Sequence, residues 1–283
     1  MKHYLSLFML FAITPLWAQG DTEVYWAELS TTENSMTLGP LTNLSQNPGY
    51  DNQPSFWSEE VLIYTATRNE QTDILTQNLN SGIKQWKSAT SQGSEYSPLR
   101  IPQTEEFSAI RLDTTGLQRL YRYDAKGASQ LLFTDLKVGY QLWLSATTLV
   151  CTVLVADGMD LYLADPQNGK ATRIAQNVGR SLHKLPQTNA ISFIQREGEI
   201  ATVSTYDPQS QKKKTLVVLP SGVQDMAWLP SGELLFGKGS TLYGQFPGKE
   251  AVIRHTFPSA SIQNISRIAV SPSGKRIALV GEE

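Results

Sequence analysis

The chain has 283 residues and a formal net charge of -2 at pH 7, from 24 Lys and Arg against 26 Asp and Glu. Hydrophobic residues make up 40% of it, which is ample material for a core, and the length fits one large all-β domain or two small domains. The near-neutral charge balance argues against nucleic acid as a partner.

The first 18 residues are typical of a secretory signal peptide. Lys2 precedes an apolar run from Tyr4 to Ile13, and the segment then ends in a small residue, Ala18. The run is too short to span a bilayer. We therefore expect cleavage after about Ala18, a mature chain of residues 19–283 that does not span a membrane, and a periplasmic or secreted location. An uncleaved N-terminal membrane anchor is the alternative.

A unit of about 40–45 residues repeats along the mature chain. Its most regular element is an alternating run of β-branched or aromatic residues that ends in an acidic or turn residue. This element reads TDILTQNL at 72–79, QRLYRYDA at 118–125, MDLYLADP at 159–166, ATVSTYDP at 201–208 and STLYGQFP at 240–247. A strand, a turn and a second strand precede each copy, and a fourth strand-length run follows it. The pattern predicts four antiparallel strands per unit, as in one blade of a β-propeller.

The two ends of the chain hold complementary halves of one unit. Residues 268–281 (IAVSPSGKRIALVG) supply two strands, while 22–29 (TEVYWAEL) match a third strand and 38–47 (LGPLTNLSQN) a fourth. N-terminal strands that complete the last blade would close the ring and remove its exposed edges. We therefore predict an all-β, six-bladed β-propeller. A sandwich or an open solenoid is the alternative, and neither explains the complementary ends.

The six blades are expected to divide the mature chain into units of similar length. Their bounds are about 49–92, 93–137, 138–177, 178–220, 221–260, and 261–283 together with 21–48.

The strands and turns also resemble a known repeat family. The segment from Asp51 to Ser58 (DNQPSFWS) resembles the D-x-x-P-x-W-S-P-D-G pattern of TolB-like propeller repeats, and the P-S-G turns at 230–232 and 272–274 match its P-D-G turn. The resemblance implies a six-bladed propeller from an exported bacterial protein. In a periplasmic member of this family, which has an α/β domain before its propeller, the propeller binds a peptidoglycan-associated lipoprotein. The motif itself specifies a blade, so the resemblance is evidence for the fold more than for the function.

Residues at the start of each innermost strand are expected to converge at one mouth of the central channel. The predicted ligand- or partner-binding residues are Asn52, Gln53, Tyr96, Tyr140, Arg180, Asp225 and Arg267. Their phenol, guanidinium, carboxylate and amide groups suit a polar ligand or a peptide segment. A polar, water-filled mouth without a ligand is the alternative.

No catalytic motif is recognisable in the sequence, and no cofactor is predicted. H-E-x-x-H, G-x-S-x-G and paired cysteines are all missing. His183 and the single cysteine, Cys151, are better explained as structural residues than as catalytic groups. A divalent ion held in the channel by Asp51, Glu95 and Asp225, as in lactonase-like propellers, is a weaker alternative.

These observations favour a monomeric, exported, non-catalytic binding or scaffold propeller that contacts a protein or another envelope component. Two alternatives stay open: a hydrolase or lactonase-like enzyme with a channel-bound divalent ion, and a sensor for a glycan or small molecule.

The tryptophans at recurring strand positions are expected to pack between blades. They are Trp26, Trp57, Trp86, Trp143 and Trp228.

Overall fold

The computed structural model describes residues 20–32 and 35–282. The predicted signal peptide, residues 1–18, lies outside the described residues. Within them, no helix is long and apolar enough to cross a membrane.

Twenty-five strands make up the described fold. In chain order they are β1 (Glu23–Thr31), β2 (Met36–Leu38), β3 (Thr42–Asn43), β4 (Asn52–Phe56), β5 (Val61–Arg68), β6 (Gln71–Asn78), β7 (Lys84–Trp86), β8 (Ser94–Arg100), β9 (Phe107–Leu112), β10 (Gln118–Tyr123), β11 (Ser129–Leu131), β12 (Val138–Trp143), β13 (Leu149–Val155), β14 (Gly158–Asp165), β15 (Lys170–Ala175), β16 (Val178–Lys184), β17 (Ile191–Glu197), β18 (Ile200–Tyr206), β19 (Lys213–Leu219), β20 (Ala227–Trp228), β21 (Leu234–Lys238), β22 (Thr241–Gln245), β23 (Val252–Thr256), β24 (Gln263–Val270) and β25 (Arg276–Glu282).

These strands form six antiparallel sheets, which are the blades of a propeller. In five blades the strand order follows the chain, from β4–β7 in the first blade to β20–β23 in the fifth. The first strand of every blade is the end strand of its sheet, and these six inner strands line the central channel. The predicted six-bladed, all-β architecture is confirmed.

The sixth blade is built from both ends of the chain. Its strand order is β24-β25-β1-β2, and β3 also pairs with β1. β1 runs antiparallel to β25, in a register that extends from Glu23 opposite Gly281 to Glu28 opposite Arg276. The predicted closure of the ring by N-terminal strands is therefore confirmed.

The outermost strand of this blade differs from the prediction. Instead of one strand within 38–47, the structure has two short strands, β2 and β3, which pair with different parts of β1. Gly39 and Pro40 lie between them. Because proline has no N–H to continue a ladder, the strand breaks there.

The core lies between the blades. The described residues form six apolar clusters, one at each junction of neighbouring blades. At the junction of the second and third blades, for example, Ile110 and Leu120 pack with Val138 and Leu149. A single blade buries neither of its faces alone, so these junctions supply the hydrophobic stabilisation of the ring.

Two of the predicted tryptophans also bond across blade junctions. The indole N–H of Trp143 donates to Ser108 Oγ at 2.8 Å, and that of Trp228 donates to Ser192 Oγ at 2.8 Å. Both pairs join the inner strand of one blade to the second strand of the preceding blade. The inter-blade role predicted for these tryptophans is confirmed.

The other tryptophans divide between the junctions and the rim. Trp26 and Trp57 are partly buried against inter-blade clusters. Trp86 lies in the outermost strand β7, is 37% exposed, and has the Arg68 guanidinium 4.2 Å from its ring centroid. The inter-blade prediction is wrong for Trp86, because its ring lies at the exposed rim and contacts Arg68 of its own blade.

Candidate functional site

A cavity of about 880 Å³ occupies the central channel. Its wall comes from the inner strands of all six blades and includes the apolar side chains of Phe56, Leu99, Leu142, Trp228 and Ile268. The volume lies within the range of about 300–1,000 Å³ that is typical of ligand pockets. The channel of this propeller therefore has room for a sizeable ligand.

The cavity reaches the surface at the turns between the first and second strands. Pro102, Pro186, Gln187, Pro230 and Pro272 form this rim. Three of them, Gln187, Pro230 and Pro272, are exposed to solvent. The P-S-G turns identified in the sequence thus stand at the opening, where Pro fixes φ and the turn keeps its shape.

At the other end, the cavity is closed by side chains that cross the channel. Arg267 of the sixth blade lies 3.4 Å (Nη2 to OH) from Tyr140 of the third blade, and its guanidinium carbon is 5.2 Å from the centroid of that ring. These two blades face each other across a six-bladed ring. Arg267 is only 9% exposed. The pair therefore spans the channel and forms part of a floor.

A second arginine reinforces this floor. Arg180 Nη2 of the fourth blade donates to the carbonyl oxygen of Ser266 in the sixth blade at 2.5 Å. Its Nε is buried and has no hydrogen-bond partner. Burial, together with the positive charge of Arg267, lowers the pKa of Arg180. The two cations are thus close enough to repel each other.

One carboxylate, Asp225, is an ion partner of Arg267 and favours the charged form of Arg180 electrostatically. Asp225 Oδ2 accepts a hydrogen bond from the backbone N–H of Ile268 at 2.8 Å, and Oδ1 lies 3.9 Å from Arg267 Nη1. Burial alone would lower the pKa of Arg267, but the charges of Asp225, Tyr140 and Tyr50 raise it above its ordinary value. Two guanidinium groups and one carboxylate leave one positive charge in excess at the floor.

Hydrogen bonds connect the inner strands on the other side of the channel. Gln53 Oε1 accepts from the backbone N–H of Ser97 at 2.8 Å, and Gln141 Nε2 donates to the carbonyl oxygen of Ser97 at 2.7 Å. These bonds join the first, second and third blades. Gln53 and Ser97 both have positive φ, 55° and 52°, at register shifts in β4 and β8. Such backbone strain often marks functional sites.

The structure brings most of the predicted site residues together. Tyr140, Arg180, Asp225 and Arg267 form the floor, and Gln53 lies in the adjacent wall. Asn52 and Tyr96 lie outside the cavity wall. Asn52 is 4% exposed and donates to Thr22 Oγ1. Tyr96 packs edge-on against Tyr50, with 6.1 Å between the ring centroids. The strand starts therefore converge on a closed floor, and the opening lies at the opposite end of the strands.

Asp51 and Glu95 are held inside the fold, away from the cavity wall. Asp51 is fully buried and accepts hydrogen bonds from Thr67 N at 2.8 Å and Asn47 Nδ2 at 3.2 Å. Burial raises its pKa to about 6. The motif aspartate thus ties the start of an inner strand to the second strand of its blade.

Glu95 has a similar structural position between the first and second blades. It accepts hydrogen bonds from Ser88 Oγ at 2.9 Å, from Tyr123 OH at 3.1 Å, and from Thr90 Oγ1. Burial, with a further contribution from Asp73, raises its pKa to about 7. Its carboxyl group therefore belongs to a buried network at a blade junction.

The predicted alternative of a metal ion held by Asp51, Glu95 and Asp225 is wrong. Asp51 and Glu95 do not line the cavity, whereas Asp225 does. Across residues 20–32 and 35–282, no three His, Cys, Asp or Glu side chains are grouped so that they could hold a metal ion.

His183 lines the cavity wall next to a serine. Its Nε2 lies 3.0 Å from Ser181 Oγ, and burial lowers its pKa. The same hydroxyl accepts from Met226 N at 3.1 Å and lies 3.3 Å from Met226 O. These contacts join the fourth and fifth blades, so the Ser181–His183 pair has a structural role at that junction.

Sequence reasoning missed two cations of the cavity wall. Arg100 and Lys184 line the cavity and lie four residues after Tyr96 and Arg180 on the same inner strands. Burial lowers the pKa of Lys184. Side chains two and four residues apart on a regular strand point to the same face. Register shifts between Tyr96 and Leu99 and between Val178 and Leu182 interrupt that alternation, so the spacing alone gives no signal for them.

No family model matches the chain, and no curated protein matches it in sequence. Solved structures do resemble it. A TolB candidate from Agrobacterium tumefaciens superposes with a TM-score of 0.69 at 13% identity, over 93% of this chain and 99% of that one. TolB from Acinetobacter baumannii has a TM-score of 0.57 at 14% identity, over 94% of this chain and 67% of that one. The chain has the fold of the TolB propeller.

Enzymes share this fold as well. A gluconolactonase from Xanthomonas campestris has a TM-score of 0.64 at 11% identity, over 95% of this chain and 99% of that one. The TolB-like resemblance seen in the sequence is thus confirmed for the fold. At these identities the likeness extends to fold alone, because propellers with different functions share one architecture.

Proposed function

We propose that this propeller is an exported, non-catalytic binding module whose central cavity takes up a segment of a partner protein in the cell envelope. The observation that carries this proposal is the shape of the channel. It is open at the rim of first-to-second-strand turns and closed at the other end by Arg267, Tyr140 and Arg180. A cavity with one opening can receive the end or a loop of a ligand, and its polar floor limits how far the ligand enters.

A polypeptide suits this cavity for two reasons. The inner strand of each blade is paired on one side only, so its other edge faces the channel. Unpaired strand edges offer backbone donors and acceptors to an incoming peptide. The wall also alternates apolar groups, such as Phe56 and Leu142, with polar ones, such as Gln141. Such a lining matches the mixed surface of a peptide segment.

The location in the envelope rests on the signal-like segment of residues 1–18. Export predicts a mature protein that begins at about Gln19. Intact-mass measurement of the protein from cell fractions tests this point. A mature chain that still begins at Met1 and stays in the cytosolic fraction would contradict it.

Site-specific photo-crosslinking in cells tests the binding function. A photoreactive phenylalanine is placed at Pro272, an exposed residue of the cavity rim. The matched control places it at Pro208, a half-exposed proline in the turn between β18 and β19, outside the cavity lining. Both positions replace a turn proline, so the two variants differ mainly in their distance from the opening.

We expect irradiation to give a discrete protein adduct from Pro272 that Pro208 does not give. Mass spectrometry of the adduct then identifies the partner and the crosslinked segment. The same adducts from both positions, or no adduct from Pro272 in a correctly folded protein, would overturn the proposal.

A further inference from the structure

We infer that the floor of the cavity is a carboxylate-binding site, in which Arg180 and Arg267 receive an acidic group of the partner segment. This inference rests on the proposed function and adds the chemistry of the ligand. It starts from the state of the two guanidinium groups: Arg267 is buried, Arg180 is half-buried, and both use few of their donors.

Arg267 has only distant polar neighbours. Its guanidinium carries five N–H donors, yet its contacts are with Tyr140 OH at 3.4 Å and Asp225 at 3.9 Å. Hydrogen bonds from ionised donors normally measure about 2.7–2.9 Å. The charge of Asp225 favours the ionised guanidinium, but this 9% exposed group makes no hydrogen bond of that length and keeps unused N–H donors. An anion from the cavity would supply the missing partner.

Arg180 is held by a single hydrogen bond to Ser266 O. Its Nε donates to no protein atom. A small rotation of the guanidinium toward a ligand would therefore break no bond at Nε. Because Arg180 and Arg267 both line the cavity, one anion can lie between them and relieve their mutual repulsion.

The charge at the floor selects a monoanion. Arg180 and Arg267 share one carboxylate, Asp225, so one positive charge is in excess. A carboxylate neutralises this excess and offers two oxygens to planar guanidinium groups. A phosphate dianion would leave a buried negative charge, which is unfavourable. Higher in the cavity, Lys184 adds one positive charge and favours the approach of an acidic segment, whereas the charge of Arg100 is paired with Glu105.

Two wall residues next to the floor also hold unused polar atoms. Gln141 Oε1 and Ser97 Oγ are both buried without a hydrogen-bond partner. Gln141 Oε1 is an acceptor and Ser97 Oγ is a donor and an acceptor. Both atoms are shielded from the cavity in this arrangement, so a peptide amide beside the carboxylate would reach them only after these side chains change rotamer.

The two sources of such a group are a chain terminus and an acidic side chain. N-acetylglycinate represents the terminus, and the α-amide of N-acetylaspartic acid represents the side chain. N-acetylglycinamide and the amide of N-acetylasparagine are their neutral counterparts. Binding of each probe, and of inorganic phosphate, is measured on the purified protein by ligand-detected NMR titration.

At least one acid is expected to bind saturably with a dissociation constant of about 1 mM, as suits so small a ligand. Its neutral counterpart should bind at least about tenfold more weakly. Arg180→Met should weaken the acid by about tenfold, and Arg180→Lys should weaken it less, since it keeps the charge. Arg173→Met is the control, because Arg173 pairs with Asp160 outside the cavity and is 52% exposed.

Equal binding of acid and amide, an unchanged affinity in Arg180→Met, or tighter binding of phosphate than of either acid would overturn the inference. The acid that binds more tightly identifies the source of the carboxylate. The crosslink from Pro272 separates this inference from the proposed function. An adduct whose yield is the same in the Arg180→Met background overturns the carboxylate site alone, whereas the absence of any adduct overturns the binding function.

Discussion

Arg267 and Tyr140, which lie 127 residues apart in the chain, meet across the central channel with Nη2 3.4 Å from the phenol oxygen. They come from opposite blades, so the contact exists only when the ring is closed. It converts an open tube into a cavity with a floor. The proposed function depends on this conversion.

Removal of the Tyr140 hydroxyl should change the stability little. At 3.4 Å the bond is weaker than an ordinary one, and we expect Tyr140→Phe to lower the free energy of unfolding by less than about 1 kcal/mol. Tyr64→Phe is the comparison. Tyr64 is fully buried and donates to Gln77 Oε1 at 2.8 Å, so its loss should cost about 1–3 kcal/mol. Urea denaturation of both variants tests this, and a larger loss for Tyr140→Phe would contradict it.

Closure by the N-terminal strands should make the ring unfold as one unit. Leu279 is fully buried in β25 beside β1, and Leu279→Ala should cost about 2–5 kcal/mol. Cys151, in the third blade, reports on distant unfolding, since burial raises the pKa of its thiol to about 12 and protects it. We expect Leu279→Ala to expose Cys151 to a thiol reagent at lower urea than in the wild type.

Deletion of residues 22–47 should abolish the cooperative transition altogether, because it leaves one edge of β25 unpaired and exposes faces of neighbouring blades. Reactivity of Cys151 at an unchanged urea concentration in Leu279→Ala would mean that blades unfold separately.

The tryptophan–serine bonds between blades should contribute measurably to stability. Ser192→Ala leaves the buried indole N–H of Trp228 without its partner, which should cost about 1–3 kcal/mol. In a Trp228→Phe background, which has no such donor, the same serine substitution should cost much less. A double-mutant cycle by urea denaturation measures the difference. Equal costs in both backgrounds would show that the bond contributes nothing.

Glu95 should make the stability depend on pH. Its folded pKa of about 7 exceeds the ordinary value of 4.5, so the unfolded chain loses this proton at lower pH than the folded chain. The free energy of unfolding contributed by Glu95 is therefore complete below pH 4.5, falls as pH rises toward 7, and is constant above.

Glu95→Gln should abolish this contribution. Relative to the wild type, the variant should become progressively more stable between pH 4.5 and 7.5. Glu105→Gln, at a side chain that is 72% exposed, is the control. A constant difference between Glu95→Gln and wild type over this range would contradict the prediction. The comparison isolates Glu95 from Asp51, whose pKa is also raised by burial.

The fold could be predicted from the sequence because its strongest signals are local and repeated. Strand alternation, turn residues and complementary chain ends together specify six blades and their closure. The break between β2 and β3 also has a sequence signal, Gly39 followed by Pro40.

The site was harder to predict because it depends on side-chain reach. Position along a strand indicates that Tyr140, Arg180 and Arg267 approach the axis, but whether they meet depends on the channel radius and the rotamers. Asn52 turns into the fold because the register shifts at Gln53, which adopts a positive φ. Gln rarely adopts that conformation, so no sequence signal marks the bulge.

Competition for the crosslink tests the central claim most directly. The protein with the photoreactive residue at Pro272 is irradiated in envelope extract while N-acetylglycinate, or the α-amide of N-acetylaspartic acid, is titrated in. We predict that the adduct yield falls as the acid occupies the floor beside Arg180, and that the neutral amides leave it unchanged at the same concentrations. An adduct that neither acid displaces, or that the amides displace equally well, would contradict a carboxylate-bearing segment in the cavity.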